Sequence, residues 1–573
     1  MTVKLNNFFD HKTKKMKFIQ LNKPILFTLL GIAVSISSCT KSLDGFVEDP
    51  STSRAFVPGN FRVRTVQDSA KFTWDLPILA SGKKYAYRVD LSKDSLFSNI
   101  DYSVVSDTTG INILEPTINV NQKYFARIRV DAYNGVPPSK YVYATSSFSV
   151  SGQQYLRVIR DFEVTKSSVL LHWFVNANTA GINKIKVTNG TVVTEVLIAP
   201  SEATVGTKLV PNLNPDTRYT IQLLADTKSK GLTSITTSKD VLFTKTLSPG
   251  EDLATAINTA VDGDVIGLNP GVYAITSAFT MTGKSITLRS TSNNPNDTKI
   301  KIREFNLAGS NAGLTLNGLD IDGNYSGASY GQQFLQLKGA VNAGDAANFA
   351  DVKFDNCIIH DFTRCLVRGN YGAVANAHVI KTFTINNCTI YNIDRTGIDT
   401  YYTFSIEKLQ FTNLSITKST LYTLGSGLFN VGTAYIGTAF PTITIDYCTF
   451  NNFGGSGKYL FIDANANRVV FNFRNSIVAN TPLAVSVAAS ALRSTNNTSA
   501  LNFINNNYFK LNSSTAASTP LNLTGLNQVN NTQINLGWAS STTNFNLSSL
   551  PADSPILKGS TNGSTIGDPK WAY

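Results

Sequence analysis

"FDNCIIHDFTRCLVRGN" occupies residues 354–370. It holds two short runs of alternating residues, separated after Asn356, with two arginines near its end. Alternation at period two puts Cys365 and Val367 on one face of a strand, and Arg364, Leu366 and Arg368 on the other. The same pattern recurs as LNGLDI (from 316), INNCTI (385), FTNLSI (411), IDYCTF (445), FRNSIV (473) and FINNNY (503). Counted at the fourth residue of each, the spacings are 38, 31, 26, 34, 28 and 30. A repeat of that length marks a solenoid, and coils of this size with three short strands each predict a triangular parallel β-helix. Parallel crossovers are almost always right-handed, so a right-handed helix is expected. Asn356, Asn387, Asn413, Asn475 and Asn505 are expected to stack in one turn as a ladder that Gly318 and Tyr447 interrupt. Cys357, Cys388 and Cys448 occupy one place in successive repeats and are expected as stacked small core residues. The cysteines show neither a CxxC pair nor histidine spacing for a metal.

The preceding residues have another texture. Residues 55–150 carry AKFTWDLP with Trp74, then YAYRVDLS and KYFARIRVDAYN; residues 151–247 carry VLLHWFV with Trp173, then NLNPDTRYTIQLLAD. A strand-borne Trp followed by an LNPDTRY corner resembles the fibronectin type III sandwich, with Tyr219 as the corner tyrosine. The expected class is therefore all-β: two fibronectin type III-like modules and then a parallel β-helix over 248–573.

Charged residues are only 15% of the chain, well below the usual quarter, while 42% hydrophobic residues suffice for a large core. The net charge is +12, but residues 1–38 hold six lysines against Asp10, which leaves +7 for the remainder. No Lys/Arg-rich run points to nucleic acid. MKFIQLNKPILFTLLGIAVSISSC has a basic start and an apolar run too short to span a bilayer, so residues 1–38 read as a signal peptide starting at Met16. Its Ile-Ser-Ser-Cys ending resembles a bacterial lipobox, which implies lipidation of Cys39 and a linker over 39–54. The acidic residues of TKSLDGFVEDP resemble the export stretch of surface lipoproteins in Bacteroidetes. That likeness implies an outer-membrane, lipid-anchored, surface-exposed protein.

Residues 247–273 read LSPGEDLATAINTAVDGDVIGLNPGVY, where Leu253, Ala256, Ile257 and Ala260 have helical spacing. This resembles the amphipathic cap of β-helices in the pectate-lyase superfamily. The closing SPILKGSTNGSTIGDPKW resembles the end of uncharacterised Bacteroidetes β-helix lipoproteins found beside polysaccharide-import systems. The likeness implies an acidic polysaccharide as ligand and an outer-membrane glycan importer as partner.

Aligning the coils by a trailing glycine sets FLQLKG (334–339) over RCLVRG (364–369), with RTGIDT (395–400) next. Leu337, Val367 and Ile398 would then point inward. Lys338, Arg368 and Asp399 would form one outer column, and Phe334, Arg364 and Arg395 another. Such cations favour an anionic ligand, because Arg holds carboxylates bidentately. In the pectate-lyase superfamily this face is the uronate groove, which implies β-elimination with Arg368 or Lys338 as base. The same face suits simple glycan capture, with Arg364, Arg395, Asp399 and the aromatics Tyr401, Tyr402, Tyr422, Phe429, Tyr459 and Phe461 as contacts. A non-catalytic adhesin or scaffold is the further alternative. Calcium, used by some members of the superfamily, would draw on Asp394, Asp399, Asp320 and Asp322, a thin supply for a cation wanting roughly six to eight oxygens. DIDGN (320–324) reads as a turn, so no metal site is assigned. A hydrolase of polygalacturonase type needs converging carboxylates, and the alignment brings none together.

Overall fold

The computed structural model describes residues 54–573 except 78–81, 370–371, 373–376, 433–439, 517 and 552. The signal segment and Cys39 lie outside the described residues. The chain forms two compact units, one of the residues up to Gln154 with Leu224–Gly231, the other of Tyr155–Leu223 with Leu232–Tyr573. Among the described residues no helix is long and apolar enough to cross a membrane.

Both N-terminal modules are antiparallel sandwiches. In the first, strands Gly59–Val66, Ser69–Asp75 and Gly110–Leu114 form one sheet. Tyr102–Ser106, Tyr87–Ser92, Phe125–Val130 and Val142–Tyr143 form the other. Trp74 and Trp173 are both buried in their modules. The hydroxyl of Tyr219 accepts the amide of Asn214 at 2.8 Å, the expected corner bond. The first module repeats it, Tyr124 accepting from Asn119 at 3.1 Å.

The rest is a parallel β-helix of about eight turns over residues 271–511. Each coil lays down one strand on each of three faces; in the opening stretch these are Val352–Asp355, Ile358–Phe362 and Cys365–Arg368. Strict alternation stacks one inward residue per coil on every face. Phe354, Ile385, Ile416, Ile445, Phe473 and Phe503 follow one another on the first face. Ile321, Ile359, Ile390, Leu421, Phe450 and Val478 do so on the second. Leu335, Val367, Phe404, Phe429, Ile462 and Leu492 line the third. The solenoid already begins at Lys245–Leu247, which pairs in parallel with Val265–Leu268. Helix Leu253–Thr259 buries Leu253, Ala256 and Ile257 against the first coil, and the Asp252 carboxylate accepts the amide of Thr255 at its start. Ala260 is its half-buried C-cap.

Between the first and second faces the chain turns through a left-handed residue: Gly318, Asn356, Asn387, Lys418, Tyr447, Asn475 and Asn505 all have φ between 48° and 67°. Asparagine tolerates that conformation better than most residues, and glycine pays no Cβ penalty there. The ladder differs from expectation at Asn413, which lies inside strand Leu409–Thr417 and pairs with Thr442. FTNLSI copies the apolar–Asn–apolar pattern of the turn, but the strand runs on and the turn falls at Lys418-Ser419. The Asn387 amide donates to Asn356 Oδ1 at 3.2 Å, the one asparagine pair seen directly along this column among the described residues.

The next column inward is a ladder of another kind. Cys357, Cys388, Ser419, Cys448, Ser476 and Asn506 follow the turn residue in successive coils. The Cys357 amide donates to Cys388 Sγ, Cys388 to Ser419 Oγ, Cys448 to Ser476 Oγ, and Ser476 to Asn506 Oδ1, at 2.9–3.4 Å. Cys357, Cys388, Ser419, Cys448 and Ser476 also donate to the carbonyl two residues earlier. The cysteines are unbridged and buried, but they serve as acceptors interchangeable with serine as well as small apolar filler.

After the last coil the chain doubles back over the second face. Trp538, Phe545, Leu547, Ile556 and Ile566 pack on Ile477, Ala479 and Phe509 as a separate core. Near the chain's end, Trp571 Nε1 donates to Thr420 Oγ1 at 2.7 Å.

Candidate functional site

The third face carries cations and aromatics expected to line a groove. Its outward column, fixed by strand register, runs Asn306, Gln336, Arg368, Ser405, Asn430, Asp463 and Arg493. At its N-terminal end Gln336 Nε2 donates to Asn306 Oδ1 at 2.7 Å, and Gln333 Nε2 bridges Gln336 and Glu304. At its C-terminal end Arg493 grips Asp463 through two bonds of 2.7 and 2.8 Å and lies 5.4 Å from the Tyr459 ring centre.

The middle is the most differentiated part. Arg364 Nε pairs with Asp399 Oδ2 at 3.1 Å. The guanidiniums of Arg364 and Arg368 lie 4.9 and 5.0 Å from the centre of the Tyr401 ring. Asp399 Oδ1 accepts the Tyr401 amide at 3.0 Å, which fixes the ring relative to the ion pair. Behind it, the Asp394 carboxylate accepts the Asp399 amide, and burial, with Asp399 nearby, pushes Asp394 up to about 6. Arg364, Arg368, Asp399 and Tyr401 are thus brought together.

The other expected residues are placed differently. Leu335, not Leu337, stacks on Val367, and Gln336, not Lys338, lies beside Arg368. The slip is two residues, so it keeps inward and outward sides and leaves Arg368 facing out. Lys338 pairs with Ala308. Residues 395–400 are not a strand of this face: a long loop spans 394–403, the strand is Phe404–Ser405, and Ile398 is exposed. Equal coil lengths were the assumption that failed, because the preceding coil makes the same connection with only residues 363–364. Arg395 consequently faces the Tyr330 ring at 5.7 Å instead of joining Arg364. Phe334, Phe429, Phe461 and Tyr402 are buried rather than lining the groove, and Tyr422 belongs to the second face.

A second cluster was not legible. On the second face His360 Nε2 meets Asp320 Oδ1 at 2.9 Å and its Nδ1 meets Asp361 Oδ2 at 2.7 Å. Lys299 Nζ lies 3.1 Å from Asp320 and 3.5 Å from Asp322. The imidazole stacks on Tyr391, which stacks on Tyr422, with centroids 4.7 and 5.0 Å apart. Burial pulls the His360 pKa down, but the hydrogen bonds with Asp320 and Asp361 prevail and raise it to about 9. Carboxylates therefore do converge here, contrary to the reading that none would. Asp322, His360 and Asp361 could each offer an atom to one metal ion. Yet both ring nitrogens of His360 are engaged, and Lys299 already neutralises Asp320 and Asp322. The set does not fit calcium, which would meet two protein cations among too few oxygens. The signal available was DID at 320–322 facing HD at 360–361, one coil apart.

The sequence profile of a domain of unknown function, DUF4957, matches residues 271–424. No curated protein matches the chain at the sequence level. Among solved structures, similarity is found to the FN1–FN3 domains of chicken CNTN1 (14% identity, 33% of this chain and 68% of that one, TM-score 0.15). A two-domain fibronectin type III segment of chicken tenascin is similar at 13% identity over 32% of this chain and 99% of that one, TM-score 0.16. Chicken interferon gamma receptor alpha chain is similar at 15% identity over 32% and 98%, TM-score 0.16.

Proposed function

We propose that this protein is a lipid-anchored surface protein of the Bacteroidetes type that captures an acidic plant or algal polysaccharide, such as a pectin-like uronate polymer, in the third-face groove. The observation that carries the reading is the Tyr401 ring held by Arg364 and Arg368, with Arg364 locked to Asp399. The two guanidiniums set positive charge beside the ring, which suits a carboxylate-bearing chain, and the ring offers an apolar surface to a sugar. The lipobox-like Cys39 and the likeness of the β-helix to the pectate-lyase superfamily support surface display and a uronate ligand. An importer in the outer membrane is the partner such a protein would serve.

Capture is favoured over β-elimination by the arrangement of the cations. Elimination needs a group that gives up its proton near neutral pH, and an arginine does not. Lys338, the other candidate base, is out of the Arg368 column. The test is native electrophoresis of the chain through polygalacturonate, alginate or chondroitin sulfate, beside absorbance of the same mixtures for unsaturated uronides. Retardation without rising absorbance, lost in Arg368→Ala, is expected. Rising absorbance would make the protein a lyase, and no response to any polyanion would leave a scaffold.

A further inference from the structure

We infer that the chain carries a second ligand site, a recessed cleft on the turn side of the solenoid that takes a short neutral saccharide. The inference does not rest on the groove reading, since none of Arg364, Arg368, Asp399 or Tyr401 lines this cleft.

The C-terminal segment covers the second face only part of the way. Beside Trp571 a cleft of about 680 Å3 opens. Its walls are Phe162 of the second module, the turns bearing Asn356 and Asn387, the stacked rings of Tyr391 and Tyr422, and Trp571. The volume lies within the range of small-ligand sites, which favour boundaries between domains.

The lining chemistry selects the ligand. No carboxylate lines the cleft, and Lys570, its one cation, already donates from Nζ to Thr389 Oγ1 at 2.6 Å. What remains is carboxamides, hydroxyls and aromatic rings, with Pro295, Cys357 and Ile358 between them. Asn387, whose amide nitrogen donates to Asn356, is one of the carboxamides that line the cleft. Burial raises the pKa of Tyr391 and Tyr422, so both phenols stay neutral and able to donate. The tyrosines, stacked on each other, offer their hydroxyl tips, and these beside carboxamides match a ligand rich in hydroxyls. A uronate would find no free cation here, so an uncharged oligosaccharide is the fitting class.

Titration calorimetry of the full chain with cellotetraose, xylotetraose and mannotetraose tests this. At least one is expected to bind, with affinity falling tenfold or more in Asn387→Gly combined with Tyr391→Phe. Glycine keeps the left-handed turn and phenylalanine the stacked ring, so both variants should melt cooperatively. Polygalacturonate retardation should be unchanged in that double variant, which separates this site from the groove. Absence of heat with all three sugars overturns the inference, as does binding that survives the double variant but is lost in Arg368→Ala.

Discussion

The backbone amide of Cys388 donates to the hydroxyl of Ser419, 3.0 Å away on the next coil. Both residues are fully buried, so neither group has water as a substitute. Leaving a buried donor unmet costs about 1–3 kcal/mol. Ser419→Ala should destabilise the solenoid by that order, read as a lower urea midpoint. Ser419→Cys should cost clearly less, since cysteine already fills this rung in three other coils. Equal losses in both variants would mean that the ladder contributes only packing.

The same burial raises the pKa of the thiols of Cys365, Cys388 and Cys448. A thiol reagent at pH 8 should therefore leave these three unmodified in the folded protein and reach them only in denaturant. Rapid modification of Cys365 under native conditions would show that the third face opens.

His360 makes stability depend on pH. Its folded pKa of about 9 exceeds the ordinary 6.5, so its contribution is complete below about 6.5 and disappears as pH rises through 9. Stability should fall between pH 6.5 and 9.5 by an amount on the order of 3 kcal/mol at full loss, read as a falling thermal midpoint. In His360→Gln this part of the profile should flatten; an unchanged profile would sink the assignment.

In the groove, Tyr401→Ala should weaken retention by polygalacturonate by about five- to thirtyfold, the range of roughly 1–2 kcal/mol for a partly desolvated cation–aromatic contact. Arg364→Lys should weaken it too, because an ammonium can neither stack flat nor bind two oxygens at once. Wild-type retention in both variants would move the ligand elsewhere on the solenoid.

Much of the fold was legible because alternation is local. Val367 and Arg368 take opposite sides whatever their coil neighbours are, so a two-residue error in register did not turn the arginines inward. The ladder was legible where asparagine takes the left-handed position, and was misassigned where Lys418 takes it. The site was less legible, since it depends on connection lengths. The loop 394–403 carries Asp399 and Tyr401 back over Arg364 and Arg368, and no periodicity announces a ten-residue detour. Arg395 was placed beside Arg364 for the same reason. His360 joins Asp320 across forty residues of chain, a pairing visible only once the coils are superposed.

The turn ladder has an evolutionary consequence. Each amide of the Cys/Ser column donates to the next rung alone, so a whole coil could be duplicated or lost while both ends of the solenoid kept their caps. The groove would then lengthen or shorten by one step of about 4.8 Å. Natural variation of this kind would adjust how long a stretch of polymer is held while leaving unchanged the chemistry that holds it.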